Sequence, residues 1–340
     1  MRKISEILLG CGLIILSACG DGTNGVTEKF MPECYGKTGD VLLVMNDDSY
    51  NGFVGDTVFN WLTQPVIILP QNEQTFNVIH IKPSAYSDIL KKARNVIYAD
   101  INPKNEKSTF SLERDKHARP QIFITIKAKN DSAFYDAWLK SEKFIYDTLI
   151  VAEKARYLTS YFNKYHDAVA ESELQKNHKF KINVPKGFIV DVDKEHFVWM
   201  SKETSISSQG ILIFDCQYDG AKSFIDQKLL SVIDSTLMLN VPGPADGSYM
   251  TISKYYPPFQ KTYMRDKNYV SELRGLWETE GDFMGGPFVS HSLVDTISGR
   301  LYTVFGYVYG GKKDKKLLMW QVESIMSTFK FDYKDGKKED

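Results

Sequence analysis

The stretch from Trp277 to Pro287 gathers an indole, the carboxylates of Glu278, Glu280 and Asp282, the Phe283 ring, Met284 and two adjacent glycines between two predicted strands. If Leu276 to Glu280 is extended, Glu278 and Glu280 share one face with α-carbons roughly 7 Å apart. Inverting glycosidases hold their carboxyl groups roughly 6.5 to 9.5 Å apart, so the spacing permits glycoside hydrolysis. The same residues also suit a turn, with Gly281, Gly285 and Gly286 at positive φ and Trp277, Phe283 and Phe288 packed into a core. Between these readings stands a binding cleft lined by Trp277, Glu278, Glu280, Asp282 and Phe283. No catalytic residue is assigned.

Other patterns fall short of chemistry. Gly306 to Lys312 reads G-x-x-x-x-G-K, but Lys313 stands where a phosphate loop needs Ser or Thr for magnesium, and Tyr302 to Tyr309 alternates like a strand through the first glycine. Ser290 and His291 are neighbours in a predicted strand and point to opposite faces, which argues against a nucleophile and base pair. There is no G-x-S-x-G. The histidines at 80, 117, 166, 178, 196 and 291 include no H-E-x-x-H or other paired spacing, so no metal site and no cofactor are expected.

The chain opens with the three parts of a secretory leader: basic Arg2 and Lys3, an apolar run from about Ile7 to Leu16, and small Ser17 and Ala18 before Cys19. The run is shorter than the roughly 20 apolar residues that a spanning helix needs. Leu16-Ser17-Ala18-Cys19 resembles the lipobox of bacterial lipoproteins. The resemblance implies removal of residues 1–18, diacylation of Cys19 and attachment to a membrane through that lipid. Each buried methylene contributes roughly 0.8 kcal/mol to such anchoring. Gly20 stands where an aspartate would retain the protein at the inner membrane, so the outer membrane is the expected address, facing periplasm or cell surface. Once Cys11 leaves with the leader and Cys19 carries lipid, Cys34 and Cys216 remain, free to pair or to stay apart.

Lys and Arg number 42 and Asp and Glu 43, and losing Arg2, Lys3 and Glu6 makes the balance one unit more negative. A near-neutral chain without basic clusters is not expected to bind nucleic acid. Its length suits two domains. Residues 19–38, rich in glycine and polar residues, read as a flexible tether. Residues 39–175 alternate strand and helix: extended runs at Val41 to Met45, Phe76 to Lys82, Asn95 to Ile101, Thr109 to Leu112 and Gln121 to Lys127, and a helix at Val54 to Leu62. A segment from Ser132 to Gln175 without Gly or Pro gives one long helix or two in line, capped by Asp131 or Ser132.

Polar Glu173 to Lys179 marks the boundary to a second domain, 176–333. Its strands at Phe180 to Val184, Phe197 to Met200, Ile211 to Asp215, Tyr249 to Tyr256, Arg274 to Glu280, Phe288 to Val294 and Arg300 to Tyr309 favour an antiparallel sheet. Helices follow at Ala221 to Leu239 and Asp314 to Phe329. The last carries Leu318, Val322, Ile325 and Phe329 in one apolar stripe. The tail, 334–340, lacks any apolar anchor and is expected to be disordered. The fold class is therefore α+β, two sheet-and-helix sandwiches.

With Gly39-Asp40-Val41-Leu42-Leu43-Val44-Met45, Leu69-Pro70-Gln71, Phe76, Arg94-Asn95 and the run from Arg274 to Ser290 in view, the chain resembles, from about Gly36 to Phe331, the Bacteroidota lipoproteins grouped as domain of unknown function 4837. The resemblance implies an envelope lipoprotein and carries over no catalytic residue. The second half loosely resembles the α/β/α sandwich of photosystem accessory proteins and certain nuclear-transport factors, on element order and the helix ending Ser327-Thr328-Phe329-Lys330. Asp followed by Ser or Thr and an aliphatic residue or Thr, at Asp56, Asp131, Asp147, Asp234 and Asp295, resembles the O-glycan acceptor pattern of Bacteroidota envelope proteins. The function expected is a lipid-anchored envelope module that binds a protein or glycan. The alternative is a carbohydrate-active hydrolase using the acidic cluster.

Overall fold

The structure, a computed structural model, describes residues 31–162, 165–311 and 314–333. The leader, Cys19, Lys312, Lys313 and the tail lie outside the described residues. In the first half, β1 (Asp40–Val44), α1 (Asp47–Tyr50), α2 (Phe53–Leu62), β2 (Asn77–Ile81), β3 (Asn95–Ile101), β4 (Thr109–Arg114), β5 (Ile122–Ala128) and α3 (Asp131–Phe162) follow in order. The strands form a sheet ordered β2-β1-β3-β5-β4. Its first four members are parallel and β4 is antiparallel at the edge.

A parallel sheet covered on both faces needs strands that are apolar throughout, and Val41, Leu42, Leu43 and Val44 are all buried. Leu43 packs with Val54, Val58, Phe134, Trp138, Ile145 and Leu149 of α2 and α3. Leu42 and Val44 pack on the other face under Tyr86 and Leu90, which sit in or beside short 3₁₀ turns. The Asn130 side chain accepts a hydrogen bond from the Ala133 backbone N–H at 3.0 Å, so the cap of α3 lies one residue before the expected pair.

The second half contains α4 (Ala168–His178), β6 (Phe180–Lys181), β7 (Ile189–Lys194), β8 (Phe197–Glu203), β9 (Ser208–Gln217), α5 (Asp226–Asn240), β10 (Tyr249–Ile252), β11 (Phe259–Arg265), β12 (Asn268–Glu280), β13 (Gly285–Asp295), β14 (Arg300–Tyr309), α6 (Lys316–Met326) and β15 (Lys330–Phe331). Eight strands make one antiparallel sheet, ordered β10-β12-β13-β14-β9-β8-β7, with β11 sharing the β10 edge of β12. Alternation sorts its two faces. Ile211, Ile213, Val289 and Val304 pack under Val322, Ile325 and Met326 of α6. Leu212, Phe214, Phe288 and Phe305 pack under Leu229, Ile233 and Leu237 of α5. The result is helix, sheet, helix.

Several boundaries differ from the sequence reading. The Ser132 to Gln175 segment is two helices, and Glu173 to His178, read as a boundary, are the last turns of α4. Asp167 caps that helix through the Ala170 N–H. Residues at the end of the expected tether are paired: Cys34 donates its N–H to Arg119 O at 3.0 Å, and Arg94 donates its N–H to Tyr35 O at 3.0 Å. Strands β7 and β11 went unread because charged residues interrupt their alternation.

Helix α6 joins the two halves. Trp320 enters the first core, with Phe76 at 6.1 Å between ring centroids, while Met319, Val322 and Ile325 enter the second. The Glu73 carboxylate, from the first half, accepts the backbone N–H groups of Lys315 and Lys316 at 2.7 and 2.9 Å and so fills the positive end of the helix. Buried Glu323 accepts both outer nitrogens of Arg274, at 2.9 and 2.7 Å, and the Lys154 ammonium of α3.

Candidate functional site

Beyond the C-terminal end of α5, the sheet opens into a cleft of about 490 Å³. That volume lies within the range of small-molecule sites. Trp199 of β8, Trp277 and Thr279 of β12, and Tyr307 and Tyr309 of β14 project into it, because residues two apart on a strand share a face. The β8–β9 turn supplies Glu203 and the hydroxyls of Thr204, Ser205, Ser207 and Ser208, and Val241 to Pro244 form the opposite rim.

Buried Trp277 and Tyr307 make the floor, edge to face at 5.5 Å and 74°. The Trp277 indole N–H donates to Val308 O at 3.2 Å, and the Trp199 indole N–H donates to the Tyr307 hydroxyl at 3.2 Å. Tyr307 lies directly across from Gly210, where a Cβ would come within 2.2 Å of its ring, so glycine is what lets the ring lie flat on the strand. Burial pushes the Tyr307 phenol above its usual range, against the lowering effect of the Trp199 hydrogen bond, and keeps it a neutral hydroxyl.

The turn is built by its own side chains. Thr204 Oγ1 donates to Ser207 O at 2.9 Å and accepts the Ser207 N–H at 3.0 Å. Among the described residues Glu203 is the one carboxylate lining the cleft, and it accepts the Ser208 hydroxyl. A neutral ring with hydroxyl groups fits these walls: aromatic faces cover its apolar side and rim hydroxyls meet its polar edge.

Of the five residues read as a binding cleft, only Trp277 reaches this one, together with Met284 from the same stretch. Trp277 packs on the α5 face of β12, while Glu278 and Glu280 alternate to the α6 face along an unbroken register. Asp282 and Phe283 sit in the β12–β13 turn, and Phe283 is fully exposed. The five residues therefore do not line this one cleft together. The signal for the real floor was present in the alternation of Trp277 with Thr279 and of Tyr307 with Tyr309. The β8–β9 rim carries no comparable signal.

The remaining motifs have structural roles. A Cβ on Gly306 would lie 2.3 Å from Val322 Cγ1, so that glycine lets α6 approach β14. The described end of the same motif leads to the α6 N-terminus that Glu73 occupies, which removes the place where a phosphate would sit. His291 faces Glu272, with Nε2 to Oε2 at 3.4 Å, and Ser290 lies on the opposite face. Cys34 and Cys216 are both free. The Asp295-Thr296-Ile297 pattern lies in the β13–β14 turn, whereas those at Asp56, Asp131, Asp147 and Asp234 lie in helices. Among the described residues no cluster of His, Cys, Asp or Glu could hold a metal ion, and no helix is long and apolar enough to cross a membrane.

Fold and site together define an α+β protein in which a parallel sheet and an α/β/α sandwich share a bridging helix. Residues 167–328 match the family described as Domain of unknown function (DUF4837), and residues 34–162 match a second, Domain of unknown function (DUF8532). The likeness to the first family thus covers the second half and not the span from Gly36 onward. No curated protein matches the chain. Among solved structures the chain is similar to the Ran-binding protein Mog1p of Saccharomyces cerevisiae, at 9% identity and a TM-score of 0.31 over 45% of this chain and 90% of that one. A mutant of protein Mog1 is similar at 10% identity and a TM-score of 0.30, over the same shares.

Proposed function

We propose that this protein is a non-catalytic binding module of the cell envelope, anchored through lipid on Cys19, and that its cleft takes a neutral glycan. The leader and the Leu16-Ser17-Ala18-Cys19 run support the anchor and the outer-membrane address. The observation that carries the ligand assignment is the pairing of Trp199, Trp277, Tyr307 and Tyr309 with a rim of Ser and Thr hydroxyls and a single, engaged carboxylate. The hydrolase alternative lacks an acid and base facing each other.

The anchor is tested by Cys19→Ser followed by fractionation. The variant is expected in the soluble fraction, and sedimentation with membranes in high salt would count against lipid attachment. The ligand is tested by titrating neutral oligosaccharides while following tryptophan fluorescence. Trp199→Ala should weaken binding by about tenfold, since one aromatic contact contributes about 1.4 kcal/mol. Equal affinity in wild type and variant, or no neutral oligosaccharide bound by the wild type, would remove the reading.

A further inference from the structure

A second cavity, of about 730 Å³, lies between α3, α6 and the segment Glu33 to Thr38, away from the aromatic cleft. Its inner wall is charged. The Glu153 carboxylate is fully buried and accepts Asn95 Nδ2 at 2.7 Å and an Arg156 guanidinium nitrogen at 2.9 Å, with Arg94 at 2.8 Å. The next residue, Lys154, lines the same cavity and reaches Glu323, and Arg274 links Glu323 to Glu272.

This row holds four cations, Arg156 buried and Arg94, Lys154 and Arg274 half-buried, against three buried carboxylates, Glu153, Glu272 and Glu323. Arginine does not shed its proton in proteins, so loss of a proton from a guanidinium does not relieve the surplus. Buried charge is stable only when matched, and the Arg94 Nε–H is buried with no hydrogen-bond partner. Glu33 is exposed at the rim, where water screens it. The cavity is therefore a polar space beside an excess positive charge, and Thr159 and Ser160 at its edge donate their hydroxyls to Ala155 O and Tyr157 O of their own helix.

We propose that this cavity binds a phosphate group, met by the positive charge of Lys154 and Arg94 and entered past Thr159 and Ser160 at the rim. Two sources offer that chemistry, free phosphate and a phospholipid headgroup. The second enters because Glu33 and Cys34, early in the described chain, line the mouth.

The full chain carrying Cys19→Ser separates them. In one arm it is titrated calorimetrically with inorganic phosphate, against chloride at matched ionic strength. In the other it is floated with phosphatidylcholine vesicles with and without phosphatidic acid. Heat of phosphate binding assigns the free anion, and flotation only with phosphatidic acid assigns the headgroup. Thr159→Glu, at an exposed position that leaves the buried pairs intact, should weaken the interaction at least tenfold, and Thr159→Gln should preserve it. Absence of binding in both arms, or binding untouched by Thr159→Glu, overturns the proposal.

Discussion

Replacing Glu323 by alanine is expected to cost about 3 to 5 kcal/mol of folding stability, because it strands Arg274 and Lys154 without their shared carboxylate. The residue sits where α6 meets α3 and β12, so the loss falls on the joint between the two sheets. Acid unfolding gives an independent reading of the same row. Burial alone would raise the Glu272 pKa, but the His291 hydrogen bond and the Arg274 charge overcome it and hold the group at about 2. Burial of Glu323 is likewise overcome by Arg274 and Lys154, which hold it well below the usual range. A depressed carboxyl stabilises the fold fully above the ordinary glutamate value of about 4.3 and loses that contribution as pH falls through the folded value. Stability should therefore decline from about pH 4 downward, and Glu323→Gln should flatten the decline while lowering the plateau. Urea unfolding at several pH values measures both. A change below about 1 kcal/mol at neutral pH would show that the pairs are solvated in solution.

The joint explains why the fold was largely legible and its assembly was not. The stripe Leu318, Val322 and Ile325 correctly gave a helix that closes over the antiparallel sheet, while Phe329, read as its last position, enters the same core from beyond the helix end at Met326. Periodicity reads one apolar face, and α6 has a second buried face made of Trp320, Glu323 and Ser324. A glutamate there looks like a solvated residue until Lys154, 169 positions earlier, and Arg274, 49 positions earlier, are brought to it. Glu73 gives no local sign either, since the helix end it caps begins more than 240 residues later. Strands with strong apolar content, such as β1, β3, β5, β9, β13 and β14, announced themselves. The charged edge strands β7 and β11 did not.

Little more of the site than Trp277 and Met284 was legible, because an acidic cluster is conspicuous in sequence and a cleft is not. The run Trp277 to Asp282 drew attention through proximity along the chain, but a strand sends neighbours to opposite faces. The cleft instead collects residues of one parity from β8, β12 and β14, and the sheet order that places β14 beside β9 is a long-range fact. Nothing within ten residues of Trp199 points to Tyr307.

Trp277→Ala should then destabilise the protein by about 3 to 5 kcal/mol, the usual cost of removing a buried indole. Only 4% of Trp277 is exposed, it braces Tyr307 and Tyr309, and its loss leaves Val308 O without the indole donor. Glu278→Gln, Glu280→Gln and Phe283→Ala should each stay within about 0.5 kcal/mol, as surface changes do. Denaturant midpoints measured on the four variants separate a structural floor from an acidic active site. If Trp277→Ala unfolds like the wild type while Glu278→Gln or Glu280→Gln abolishes an activity, the cleft described here is the wrong one. Because Trp277 both holds the sheet and lines the cavity, its effect on ligand affinity cannot be separated from its effect on folding. Half-buried Trp199, at the edge of the same core, costs less folding stability when lost, so its effect on ligand affinity is the one to read, with the denaturant midpoint of Trp199→Ala measured beside it.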